Sequence, residues 1–330
     1  QFFNTHKTKD LKFRKHQLKA LSKSIKNHEQ ALLEALKKDL GKSKVEAYAT
    51  EIGILLKSIK LARKELKNWA KTKQVETPLY LFPTKSYIKN EPYGTVLIIG
   101  PFNYPVQLVF EPLIGAIAAG NTAIVKPSEL TPNVTEVIED IIQDTFEENY
   151  ISVIKGGIEE TQTLINLPFD YMFFTGSEKV GQIVYESAAR NLVPVTLELG
   201  GKSPVIIDQT ANLKVASERI SFGKFTNAGQ TCVAPDYILI NRKVKNDFIK
   251  ALRQTITEFY GENIKESPDF GRIVNKKHFN RLNELLETHK SKIIFGGNSF
   301  EEDLYIEPTI IDNVNLQDQI MQEEIFGPIL

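Results

Sequence analysis

The chain has 330 residues, 42% of them hydrophobic, with 41 basic against 41 acidic side chains and a single cysteine. That length can bury a large core in two domains or one large α/β unit, the even charge balance gives no bulk attraction to nucleic acid or an anionic membrane, and one cysteine excludes an internal disulfide framework. No apolar run approaches the roughly 18 residues of a membrane span and no signal peptide is visible, so the expected location is the cytoplasm, although Gln1 rather than Met stands first.

Residues 8 to 74 predict helix. Leu18, Leu21, Ile25, Leu32 and Leu36 fall on one face, Tyr48, Ile52, Leu55, Ile59, Ala62, Leu66 and Trp69 continue a single apolar stripe, and Gly41 separates the two helices. The lysines here alternate with Glu and Asp, which reads as a solvated face, and His6, His16 and His28 lack metal-ligand spacing, so no metal site is expected. Pro78, Pro83 and Pro92 then break the pattern around two β-prone pieces, Leu79 to Phe82 and Ser86 to Ile88, giving an extended connection.

From Thr95 strands and helices alternate: Thr95 to Ile99, a helix after Pro105, Thr122 to Val125, a helix with Thr131 as cap and Pro132 as first position, then Ile151 to Ile154 and Tyr171 to Phe174. This is the pattern of an α/β fold with a doubly wound parallel sheet, in which ligands bind at the carboxyl ends of the strands. Gly100 to Asn103, Lys126 to Glu129 and Thr175 to Ser177 follow three such strands. The ordinary G-x-G-x-x-G fingerprint is absent, but Gly176 and Gly181 bracket Ser177 and Val180 at the start of a helix whose N–H groups can face a phosphate. A second α/β run follows, with a strand at Tyr237 to Ile240, helices at 244 to 260 and 275 to 289, and a strand at Lys292 to Phe295; His278 and His289 take no role in it.

Three residues carry candidate chemistry. Cys232 sits among Asn227, Gly229, Gln230 and Thr231, a close-approach loop rather than the apolar run of an inert core cysteine. Glu198 interrupts an apolar strand ahead of Gly200 and Gly201; desolvated there, a carboxylate would serve as a general base, whereas a strand-end Glu facing solvent is the plain alternative. Asn103, between Phe102 and Tyr104, is either a turn residue or a rigid amide donor. No histidine lies between Glu29 and Lys277, which counts against a Cys-His peptidase and leaves thiol ionisation without a source in sequence.

Six stretches in order resemble the aldehyde dehydrogenase family, with class 3 wording around the cysteine. They are Pro101 to Pro105, Gly120 to Glu129, Phe174 to Ser177, Leu197 to Lys202, Gly229 to Tyr237 and Glu323 to Pro328. The resemblance implies Cys232 as nucleophile, Glu198 as base and Asn103 as oxyanion donor. It implies an NAD or NADP site with Lys126 and Glu129 near the adenosine ribose, Gly176, Ser177, Val180 and Gly181 at the dinucleotide, and Glu324 and Phe326 at the nicotinamide end. It also implies a cofactor domain over 1–198, a catalytic domain over 199–330 that family chains continue beyond, and a homo-oligomer, a dimer by preference, paired through 76–93. The reaction implied is aldehyde oxidation through a thioester released by water; transfer of the acyl group to coenzyme A is the alternative, and a non-enzymatic binding protein on the same scaffold is a third reading. Phe102 stands where many relatives have Trp. Pro112 stands where they have Lys, which removes one ribose contact and leaves both cofactors open. Medium or long aliphatic and aromatic aldehydes are the substrates the class suggests.

Overall fold

A computed structural model describes residues 2–330. The chain opens with α1 (Leu11–Asn27), α2 (Glu29–Leu40), α3 (Lys44–Ala47), a single π turn (Tyr48–Ile52) and α4 (Gly53–Trp69). The expected long helix is thus broken twice, at His28 as well as at Gly41, and ends before residue 74. The apolar stripe itself holds: Leu18, Leu21, Ile25, Leu32, Leu36, Ile52, Leu55, Ile59, Ala62 and Leu66 are buried, but Tyr48 and Trp69 at its edges are exposed. The π turn re-phases the stripe by inserting one residue per turn, so a strict count of threes and fours misplaces Tyr48.

Strands β1 (Lys73–Val75) and β2 (Ser86–Ile88) pair antiparallel, and Leu79–Leu81 between them forms a 3-10 turn rather than the expected extended piece. Next come β3 (Thr95–Ile99), α5 (Gln107–Ala119), β4 (Thr122–Lys126), α6 (Pro132–Thr145), β5 (Ile151–Val153), α7 (Ile158–Ile165), β6 (Tyr171–Thr175), α8 (Glu178–Arg190) and β7 (Val195–Glu198). Strands β3 to β7 form one parallel five-stranded sheet in the order β5-β4-β3-β6-β7. The chain winds outward from β3 to β5 and then returns to β6 on the other side, so the order reverses between β3 and β6. Parallel crossovers are right-handed as a rule, which for this strand order calls for helices on both faces, and a parallel sheet so covered needs strands as apolar as Val96–Ile99. Pro132 occupies the first position of α6, but the Thr131 side chain makes no capping bond; its hydroxyl is buried without a partner.

The remainder comprises β8 (Pro204–Ile207), α9 (Leu213–Phe225), β9 (Tyr237–Ile240), α10 (Lys245–Tyr260), α11 (Lys276–Thr288), β10 (Ile293–Phe295), β11 (Ser299–Phe300), β12 (Tyr305–Ile306) and β13 (Ile310–Ile311). Here β8 and β9 run parallel, and Phe225, Phe248, Leu252, Ile256, Phe270 and Leu282 lie in one buried cluster. The chain divides into two compact units, residues 1–32 with 49–198 and residues 33–48 with 199–330. Residues 33–48, which chain order puts in the first unit, belong to the second. Among the described residues no helix is long and apolar enough to cross a membrane.

Candidate active site

In the first unit, the carboxyl edge of the sheet gathers the expected groups. Register pairs Ile99 of β3 with Lys126 of β4 and with Phe174 of β6, and Thr175 of β6 with Glu198 of β7, so four strand ends lie side by side. Asn103 is buried in the turn after β3. That turn is anchored from below by Glu51, whose fully buried carboxylate accepts the Val106 N–H at 2.8 Å and the Gln107 N–H at 3.2 Å, capping α5 with a negative charge where the helix dipole favours one. Sequence reading missed Glu51, because a glutamate in a Lys- and Glu-rich helical stretch carries no mark of burial.

Lys126 is buried and extends its ammonium to Glu129 at 2.9 Å. Ser177 caps α8 by accepting the Val180 N–H at 3.4 Å; Val180 is exposed on the first turn and Gly181 is buried against the sheet. The Thr175 hydroxyl is buried with no hydrogen-bond partner. Gly176 donates its N–H to the Glu198 carbonyl at 3.0 Å, tying the helix entry to the end of β7. Glu198 itself is exposed, not the desolvated carboxylate the apolar run suggests. The reason is its place: β7 is the edge strand and Glu198 is its last residue, so nothing covers it from the open side.

In the second unit, Cys232 and Val233 are the central residues of a turn closed by the Ala234 N–H on the Thr231 carbonyl at 3.0 Å, and the thiol is half-buried. The turn is approached through three consecutive left-handed residues, Asn227 (φ 54°), Ala228 (φ 50°) and Gly229 (φ 75°). Backbone of that kind cannot be held by helix or strand ladders, and buried amides hold it instead. Gln230 donates to the Asn227 and Arg272 carbonyls at 3.0 and 2.9 Å and accepts the Val274 N–H at 3.0 Å, while Asn227 donates to the Gln230 carbonyl at 3.2 Å and its N–H reaches Glu46 at 2.8 Å. Gly229 is required twice over: a Cβ there would fall 2.2 Å from the Gly327 carbonyl oxygen, and the same contact seats the segment bearing Glu324 and Phe326 against the cysteine loop.

Glu324 lies on the Gly200–Gly201 turn, where a Cβ at Gly200 would meet its Oε2 at 1.9 Å. Burial pushes its carboxyl up to about 7, against the Gly201 N–H it accepts and with the nearby Asp236 adding to the rise. Its Oε1 is buried without a partner. Phe326 adopts a left-handed backbone (φ 50°) and is half-buried. Beneath Glu324 lies a cluster absent from the sequence reading: Asp236, Lys224, Lys202 and Arg281. Lys202 and Asp236 fall inside the quoted motifs but look like ordinary surface charges in one dimension; Lys224 gives no signal, being one more lysine on a helix.

The donor set fits a dinucleotide. Within the first unit the Lys126–Glu129 pair offers a donor and an acceptor at a strand end, and the first turn of α8 lies beside the point where strand order reverses. Among the described residues no group of three or more His, Cys, Asp or Glu is placed to hold a metal. The whole chain, residues 1–330, matches the Aldehyde dehydrogenase family. The chain belongs to that family. It is 73% identical over 329 residues to the 4,4'-diaponeurosporen-aldehyde dehydrogenase of Staphylococcus aureus, covering all of this chain and 72% of that one. It is 45% identical over 330 residues to Aldehyde dehydrogenase family 3 member A2 of Pongo abelii, covering all of this chain and 68% of that one. A solved structure described as the substrate bound state of Staphylococcus aureus AldH superposes with a TM-score of 0.98 at 73% identity, over all of this chain and 72% of that one. The protein is therefore an oxidoreductase of the aldehyde dehydrogenase family, whose members use NAD(P)+.

Proposed function

We propose that this aldehyde dehydrogenase oxidises long apolar aldehydes to carboxylic acids, with Cys232 as nucleophile. The observation that carries the proposal is the loop itself. A half-buried lone thiol sits at the tip of a turn whose strained approach is maintained by buried Asn227 and Gln230, an arrangement that costs stability. The Cys232 thiolate adds to the aldehyde carbon, and the Asn103 amide with the Cys232 N–H donates to the resulting oxyanion. A nicotinamide cofactor held at the site would supply the acceptor for the hydride leaving that carbon, and the Cys232 adduct would thereby become a thioester. Glu198, exposed and therefore open to water, accepts a proton from the water molecule that releases the acid. Lys126 and Glu129 hold the adenosine ribose, Gly176, Ser177, Val180 and Gly181 the dinucleotide, and Glu324 and Phe326 the nicotinamide side. In this reading the first unit binds cofactor and the second carries the nucleophile.

The substrate class rests on the Staphylococcus aureus relative, whose name gives 4,4'-diaponeurosporen-aldehyde as what it acts on. A homodimer joined through 76–93 is the assembly we propose, supported by Leu79, Tyr80 and Phe82, each more than 80% exposed on that segment. The test is NAD(P)H formation by the full-length protein with hexadecanal, hexanal and benzaldehyde, with NAD+ against NADP+, without coenzyme A, in wild type and Cys232→Ala. The expected result is turnover that rises with chain length and drops by at least about four orders of magnitude in the variant. Turnover that appears only on adding coenzyme A would replace hydrolysis by acyl transfer.

A further inference from the structure

Asp236 is a buried carboxylate whose partners come from three separate stretches of the second unit. Its Oδ1 lies 3.2 Å from Lys224 Nζ, and its Oδ2 accepts the Ile325 N–H at 3.1 Å and lies 3.3 Å from Lys202 Nζ. Lys224 is fully buried near the end of α9, so its ion pair with Asp236 closes the base of the loop 225–235 that carries Cys232. The Lys202 ammonium goes on to donate to the Ile320 carbonyl at 2.6 Å and the Glu323 carbonyl at 2.8 Å, and Arg281 donates to the Ile325 carbonyl. Residues 323 and 325 are thus held on both sides of Glu324, and the charge at the centre of the grip is Asp236. The Asp236 N–H, bonded to the Ser203 carbonyl at 2.9 Å, fixes this centre to the start of the β8–β9 pair.

Burying the Asp236–Lys224 pair, with two further cations beside it, is a poor route to stability, since each ion must be desolvated and hydrophobic packing would serve as well. Burial lowers the Lys224 ammonium to about 8, with Asp236 opposing the fall. What the arrangement does supply is geometry: a short, charge-assisted link between the two segments that bear reacting groups. We propose that Asp236 is a positioning residue, a single buried carboxylate that sets the Cys232 loop and the Glu324 carboxylate in one fixed register. The inference rests on the reading of Glu324 as a cofactor contact.

The experiment compares Asp236→Asn, Glu324→Gln and the double variant of the full-length protein, reading cofactor KM and kcat, and separately the rate at which iodoacetamide alkylates Cys232 without cofactor, mapped by mass. Asp236→Asn is expected to raise cofactor KM about tenfold and to change the alkylation rate by roughly threefold or more, the scale on which outer partners of reactive groups act. In the Glu324→Gln background it adds less than about twofold to cofactor KM, because the two act through one contact. Full multiplication of the two effects, or wild-type values in both readouts, overturns the proposal while leaving the Glu324 assignment standing. If Glu324→Gln alone leaves cofactor KM unchanged, the assignment of Glu324 fails; the alkylation rate then decides whether Asp236 holds the cysteine loop. Should Asp236→Asn fail to fold, Lys224→Met with Asp236→Asn leaves no unpaired charge in this pair and carries the same readouts.

Discussion

The end of β7 and the turn around Cys232 solve the same problem by opposite means. Glu198 needs no special support: the parallel ladder with β6 and the Gly176 N–H on its carbonyl position the backbone, and the side chain projects from an exposed strand end. Cys232 lies where no ladder reaches. Three left-handed residues lead to it, and the amides of Asn227 and Gln230 and the Glu46 carboxylate hydrogen-bond the approach, with the Gly327 carbonyl packed close to Gly229. Under the proposed mechanism the contrast has a reason: a base that waits for water can stand in solvent on regular structure, whereas a nucleophile that must meet a carbonyl carbon at one angle is built into an irregular loop.

If Glu198 is the base as proposed, removing its carboxylate gives the largest expected effect. Glu198→Gln should retain a burst of about one NAD(P)H per Cys232 and lose steady-state turnover by about 10²- to 10⁴-fold, because only thioester release needs the carboxylate. A burst lost together with the steady state would place Glu198 before the thioester and erase the contrast. Asn103→Ala should lower kcat by about a hundredfold with no change in the burst stoichiometry; an unchanged kcat would return Asn103 to the role of a turn residue.

Gly229→Ala probes the irregular loop directly. A positive φ and a Cβ 2.2 Å from the Gly327 oxygen should cost about 2–4 kcal/mol in urea unfolding, while alanine in place of a solvent-facing glycine with open space around it, such as Gly201, should cost less than about 1 kcal/mol. Equal costs would mean that the loop is not over-determined.

The smallest effect is a pH dependence. The Glu324 carboxyl, at about 7 folded against an ordinary value of 4.5, binds its proton more tightly in the folded state. Its contribution is therefore complete below 4.5 and is lost as pH rises through 7, the reverse of a salt-bridged carboxylate. Solvent screening of this half-buried group leaves about 1 kcal/mol, so wild type should lose that much stability relative to Glu324→Gln between pH 4.5 and 8, read from urea midpoints.

Much of this was legible in one dimension. Alternating apolar strands and helices from Thr95 onward foretold the parallel sheet, because a strand buried on both faces must be apolar throughout and that run survives any tertiary context. The loop of Asn227, Gly229 and Gln230 around Cys232 could be picked out because such residues have no reason to cluster in a packed strand. The stripe from Leu18 to Leu66 was correct in which residues are buried except at Tyr48, and it missed the breaks at His28 and the π turn, which depend on how the helices fold back. Thr131 stands at the N-cap position as expected, but its buried hydroxyl makes no capping bond, which depends on what surrounds the side chain.

What the sequence by itself determined was the alternation of elements, the irregular loop around Cys232 and the set of strand-end groups, all of which follow from residue type and local spacing. Tertiary structure alone decided which charges are buried. Glu51, Lys224 and Asp236 are written like surface residues, and Glu198 like a buried one. The difference arises because desolvation depends on what a distant stretch of chain lays over a side chain, a quantity that no local pattern encodes.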